Sequence, residues 1–168
     1  SETEKYDSFY TALEFGTAGM RGLLGVGPNR INVYTVGKAN VGFAKYLVET
    51  FKETTPIMKV AIAYDNRHQS YELAMLSARV LSTYGIESYV FDQPRPTPEL
   101  SFAVRELGCI GGIVVTASHN PKEYNGYKIY DETGCQLVDH KVAKVIAYVN
   151  EVEDETETVE DDEEGTNE

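Results

Sequence analysis

The sequence predicts an α/β domain of three layers, with a mostly parallel but mixed sheet held between helices. Three observations predict it. Apolar strand-length runs alternate with helix-length segments from Met58 to Thr116, the rhythm of parallel strands joined by crossover helices. The runs 58–64 (MKVAIAY) and 109–116 (CIGGIVVT) are almost wholly apolar, as strands buried on both faces are. A glycine-rich beginning and a hairpin-like end add an antiparallel edge strand to the same sheet.

The elements follow in order. Residues 1–14 read as a short helix or arm. Gly16, Gly19, Gly22, Gly25 and Gly27 then mark a loop and strand with backbone requirements that glycine meets at least cost. From Thr35 to Lys52 the apolar residues Val36, Phe43, Leu47 and Phe51 recur at helical spacing. Gly37 and Gly42 inside that helix suggest close packing on a sheet. Met58–Tyr64 is a strand. Ser70 is the expected cap of a helix that runs to Tyr84 and stops at Gly85. Glu87–Phe91 is the next strand. Thr97 is the expected cap of a helix with Pro98 and Glu99 in its first turn, ending at Leu107 before Gly108. Cys109–Thr116 is a third strand. Gly126–Tyr130 and Cys135–Val138 are expected as short strands joined by a turn at 132–134, and Asp139 as the cap of a last helix over 141–149.

Composition bounds the function. Of 168 residues, 42% are hydrophobic, enough for a core of one domain. The net charge is −12, but residues 151–168 hold 11 of the 27 acids and no lysine or arginine. The remaining 16 acids meet 15 bases in residues 1–150, so the folded part, residues 1–152, is close to neutral. Residues 153–168 read as an acidic tail or interdomain linker, solvated by self-repulsion; a purpose-built acidic interaction tail is the alternative. No basic footprint for nucleic acid is present, and no apolar run approaches the roughly 18 residues a membrane span needs. The polar start, Ser1 to Asp7, has no signal-peptide core. Cys109 and Cys135 are too few for a disulfide framework and lack zinc-site spacing, so both are expected as reduced, buried thiols. A cytoplasmic protein is the expectation.

In an open α/β sheet, ligands gather at the carboxyl ends of the strands. Three polar loops leave such ends: Asp65 to Ser70, Asp92 to Thr97, and Ala117 to Pro121. In the third, Ser118 follows a buried strand, with His119 and Asn120 beside it and Pro121 stiffening the exit. Arg21, Arg67, Lys122 and Lys128 are cations able to reach the same rim. A serine among cations and backbone N–H groups suits a phosphoryl group. No G-x-S-x-G elbow surrounds Ser118, which argues against an α/β-hydrolase. No G-x-x-x-x-G-K-[ST] or G-x-G-x-x-G occurs, which argues against a P-loop NTPase or a dinucleotide fold. His68, His119 and His140 lack metal-ligand spacing; His68 and His140 read as surface or capping residues.

The segments EFGTAGMRG (14–22), YDNRHQS (64–70), TASHNPKEYNGYKIY (116–130) and TGCQL (133–137) resemble the α-D-phosphohexomutases, the family of phosphoglucomutase, phosphomannomutase and phosphopentomutase. The wording is most similar to the phosphoglucomutase/phosphopentomutase branch. The resemblance implies the N-terminal, catalytic-serine domain of a phosphosugar mutase. Ser118 matches the serine that carries the phosphoryl group, giving it to one hydroxyl of a sugar phosphate and taking back another through a bisphosphorylated sugar. Arg21 and Lys128 match cationic residues that assist proton transfer and charge stabilisation, and His119 matches a catalytic-loop neighbour of the serine. Thr17, Asn120 and Lys128 match phosphate- or substrate-binding positions. Asp65, Arg67 and Ser70 match a motif read as support for the active-site loop. An ordinary lysine, with a pKa of roughly 10.4, needs desolvation or neighbouring cations to act as a base; otherwise Lys128 is a point charge for phosphate.

The same resemblance implies Mg²⁺ and a sugar 1,6-bisphosphate activator. The family binds Mg²⁺ through a D-x-D-x-D segment of a second domain, with phosphorylated Ser118 as a further ligand, and no D-x-D-x-D occurs here. Domains II–IV, with the sugar-specificity and distal phosphate loops, are the expected partners within a longer chain, and a phosphosugar is the expected ligand. This chain alone is expected to be inactive and to bind Mg²⁺ weakly or not at all. The alternative reading is a non-catalytic phosphate- or phosphosugar-binding module with the same fold.

Overall fold

A computed structural model describes residues 19–27, 30–117 and 121–151. The expected N-terminal arm, the tail from 153 onward, and Thr17, Ser118, His119 and Asn120 lie outside the described residues.

Among the described residues, the strands are β1 (Gly19–Leu23), β2 (Lys59–Tyr64), β3 (Glu87–Val90), β4 (Gly111–Val115) and β5 (Tyr124–Tyr130). The helices are α1 (Val33–Phe51), α2 (Ser70–Thr83), α3 (Thr97–Glu106) and α4 (Asp139–Asn150). The strands form one sheet in the order β1-β5-β4-β2-β3. β2 runs parallel to β3 and β4, whereas β5 is antiparallel to both β4 and β1. The mixed sheet and its antiparallel edge are those the sequence predicts.

Alternation along the strands separates two cores. Val60, Ile62, Ile113, Val115, Tyr127 and Ile129 face α1, α2 and α4, where Phe43, Leu47, Leu73 and Val145 are buried against them. Ala61, Ala63, Val114 and Tyr130 form a smaller cluster with Leu100 and Val104 of α3. Helices therefore cover both faces, giving three layers. No helix of the described residues is long and apolar enough to cross a membrane.

Each helix start differs from the sequence expectation by one or two residues, for a local reason. α1 begins at Val33 because Asn32 caps it: its side chain accepts from Tyr34 N and Thr35 N, and Thr35 Oγ1 accepts from Asn32 N. This reciprocal pair satisfies amides that the helix leaves without partners. Ser70 is not a cap. Its hydroxyl donates to Asp65 Oδ1 instead, and Gln69, at φ 65°, forms the boundary. Thr97 is not a cap either, since Pro96 holds the extended boundary position and Pro98 sits within the first turn. Asp139 likewise lies inside α4, after Val138, where its charge still favours the helix N-terminus. Gly85, at φ +75°, ends α2 as expected.

Cys135–Val138 does not form a strand. Asp131 Oδ1 accepts from Thr133 N, Thr133 Oγ1 and Cys135 N, and this side-chain turn leaves one isolated bridge, Tyr130 to Gln136. The turn also exposes Cys135, so only Cys109 is a buried thiol.

Candidate active site

Because β2, β3 and β4 are mutually parallel, the loops that follow them leave the sheet at one rim. The 118–120 segment bridges described residues on either side, buried Ala117 and exposed Pro121. A polar network fastens both feet of this loop. Thr116 Oγ1 donates to Asp65 Oδ2 at 2.7 Å. Arg67 Nη1 donates to Pro121 O at 2.8 Å and lies 3.3 Å from Tyr124 O, while its Nε is 3.2 Å from Asp65 Oδ2. Asp65 Oδ1 accepts from Ser70 Oγ at 2.7 Å and from Arg67 N at 3.0 Å. The carboxylate thus meets four donors, about as many as its lone pairs accommodate.

Asn125 extends the network to β5. Its Nδ2 donates to Ser70 Oγ at 2.9 Å and to His68 O at 3.2 Å, and its Oδ1 accepts from Gly126 N at 2.8 Å. Asn125 and Ser70 are fully buried, where an unmet polar group is costly. Gly126 follows because no larger residue fits. A Cβ there would stand 2.7 Å from Thr116 O and 3.0 Å from Met20 O, both backbone atoms of neighbouring segments.

The cations separate into distinct settings. Arg67 is built into the loop base, and Lys122 is exposed in the turn before β5. Arg21 and Lys128 share one sheet face. Arg21 is opposite Gly126, two residues from Lys128, so the two side chains are diagonal neighbours across β1 and β5. Thr116 N donates to Gly126 O, which puts Arg21 in the same row as the first foot of the 118–120 loop. Burial pushes the Lys128 ammonium below its ordinary pKa, and the nearby Arg21 guanidinium pushes it the same way.

The structure therefore brings Asp65, Arg67 and Ser70 into one network and places Arg21 beside Lys128. His68 and His140 are exposed, with the His68 carbonyl used by Asn125. Thr116 and Asn125 were not singled out by sequence reasoning. The available signal was a polar residue closing one apolar strand and another set inside the next.

The described residues do not make a Mg²⁺ shell. No group of three or more His, Cys, Asp or Glu among them is arranged to hold a metal. Asp65, whose carboxylate bonds to the loop foot, has its oxygens taken by Thr116, Ser70 and Arg67.

A family profile described as phosphoglucomutase/phosphomannomutase, alpha/beta/alpha domain I, matches residues 12–156. The chain belongs to the phosphoglucomutase/phosphomannomutase family. It is similar to a phosphoglucomutase of Staphylococcus epidermidis, 44% identical over 149 residues, covering 89% of this chain and 27% of that protein. It is 45% identical over 148 residues to a phosphoglucomutase of Staphylococcus haemolyticus, covering 88% and 26%. A solved structure from Thermus thermophilus, described as a phosphomannomutase, superposes with a TM-score of 0.75 at 30% identity, covering 83% of this chain and 30% of that one. The chain thus spans about a quarter of the length of the curated phosphoglucomutases it matches, and the part it spans is the family's domain I.

Proposed function

We propose that this domain supplies the phosphoryl carrier of a phosphosugar mutase. Phosphorylated Ser118 transfers its phosphoryl group to a sugar hydroxyl: the Ser118 Oγ–P bond breaks, a sugar O–P bond forms, and the hydroxyl proton passes to a base. Transfer of the sugar's other phosphoryl group back to Ser118 reverses these bond changes and completes the isomerisation. A loose phosphoryl-transfer transition state asks mainly for positioning and positive charge. The observation that carries the reading is the pairing of Arg21 with Lys128 in the row that leads to the Ser118 loop. Lys128, held below its ordinary pKa by burial and Arg21, is suited to take up the hydroxyl proton, and Arg21 to meet the charge of the phosphoryl oxygens. Thr17, His119 and Asn120 belong to the same phosphate-binding surface in this reading, with Asp65, Arg67 and Ser70 supporting the loop. Mg²⁺ would supply further charge neutralisation, held by the Ser118 phosphate and by carboxylates beyond the described residues. A sugar 1,6-bisphosphate would keep Ser118 phosphorylated, and domains II–IV of a longer chain would hold the sugar and its distal phosphate.

The test is a coupled assay of the full-length protein with glucose 1-phosphate and glucose 1,6-bisphosphate. Ser118→Ala is expected to remove nearly all turnover and all incorporation of radiolabelled phosphate. Lys128→Met and Arg21→Ala are expected to lower kcat more than they raise KM. Turnover retained by Ser118→Ala refutes the reading. Stable phosphorylation of Ser118 with no turnover on any phosphosugar would instead support a binding module.

A further inference from the structure

We propose that Thr116 and Asn125 are positioning residues that tie the end of β4, two residues before Ser118, to the strand that carries Lys128. The inference rests on Ser118 acting as the phosphoryl carrier. Thr116 lies two residues before Ser118, and Asn125 three before Lys128. Their side chains meet through two intermediaries. Thr116 Oγ1 donates to Asp65, Ser70 Oγ donates to the other oxygen of the same carboxylate, and Asn125 Nδ2 donates to Ser70 Oγ. The relay runs from the end of β4, through the loop after β2 and the start of α2, to β5.

Both Asn125 amide hydrogens are used, on Ser70 and His68, and its oxygen is taken by Gly126 N. Asn125 and Ser70 are fully buried and Thr116 is nearly so, so water cannot readily replace a lost bond. A satisfied buried network of this kind specifies one arrangement. Losing the Thr116 hydroxyl takes one of its two side-chain donors from Asp65 Oδ2 and leaves the first foot of the loop without this side-chain tie, with its backbone bond to Gly126 O in place, while the other foot stays bound by Arg67. Displacing a reacting group by about 1 Å can cost roughly 10²-fold in rate.

The experiment uses full-length protein, with glucose 1-phosphate and glucose 1,6-bisphosphate, well below the melting temperature of every variant. Thr116→Val keeps the side-chain shape and removes the hydroxyl. It is expected to lower kcat about 10²-fold with KM near wild type, and Thr116→Ser is expected to restore kcat to within a few-fold. Wild-type kcat in Thr116→Val, or equal damage in Thr116→Ser, overturns the proposal. Should Thr116→Val not fold, Ser70→Ala breaks the same relay and carries the same expected kcat loss; wild-type kcat there overturns it equally. Ser118→Ala run in parallel separates the failures. If it keeps turnover, the carrier reading itself falls. If it abolishes turnover while Thr116→Val is normal, only the positioning role falls.

Discussion

Lys128 is charged at a cost, and the cost has two sources: lost hydration and the Arg21 guanidinium. Replacing Arg21 with glutamine removes the second source and leaves the first. The pKa of Lys128 is therefore expected to rise in Arg21→Gln without reaching the value of an exposed lysine. NMR titration of the Lys128 side chain in the two proteins measures this; an unchanged midpoint would show that the cations do not sense each other. The sign of the stability effect follows. A lysine with a lowered folded-state pKa releases its proton sooner when folded than when unfolded, so the unfolded chain binds more protons between the two values. Lys128 thus opposes folding while charged, and this opposition fades as pH rises through its lowered pKa toward the unfolded value near 10.5. Under the proposed mechanism, this penalty is the cost of a lysine able to exchange a proton.

At the scale of the element, α1 shows how much a single cap can carry. Asn32 closes the capping box and also donates from Nδ2 to Gly25 O and Gly27 O, so it joins the helix to the chain leaving β1. Asn32→Ala is expected to destabilise the domain by about 1–2 kcal/mol, a fall in Tm of roughly 2–8 °C for a domain of this size. Thermal denaturation by circular dichroism checks it, and a Tm within about 1 °C of wild type would contradict it. Element type was legible because periodicity and glycine stops are local signals: β2, α2, β4 and the end at Gly85 lie close to where the residues place them. Cap identity was less legible. Ser70 has the right chemistry for a cap, yet a carboxylate five residues earlier in the chain claims its hydroxyl. Cys135–Val138 has a strand's pattern, yet Asp131 bends it into a turn. The motif around Asp65, Arg67 and Ser70 reads as support for the active-site loop, and the three side chains meet in one network. The contacts of Thr116 with Asp65 and of Asn125 with Ser70 could not be read the same way, because each joins residues more than fifty positions apart in sequence.

For the whole molecule, the division of labour in the family's longer members sets the expectation. The 168-residue chain alone should not interconvert glucose 1-phosphate and glucose 6-phosphate at a useful rate. Ser118, Arg21 and Lys128 would offer a carrier and part of the charge, with the distal phosphate and the sugar ring unheld. Correct placement of reactants is worth roughly 7–11 kcal/mol in favourable cases, and each ~1.4 kcal/mol is tenfold in rate. A coupled assay with glucose 1,6-bisphosphate reads this directly. Robust turnover by residues 1–168 would mean that one domain suffices.

The place of β1 in the sheet bears on how the domain is made. Gly19–Leu23 pairs with β5, about a hundred residues further along the chain, and with no other strand of the described sheet. On a ribosome adding about 5–20 residues per second, this first strand waits roughly 5–20 s for its partner to be synthesised. Arg21 travels on that waiting strand. The parallel trio β2, β3 and β4 can assemble with its helices during the interval, and Arg21 reaches Lys128 only when β5 has emerged and β1 closes the edge.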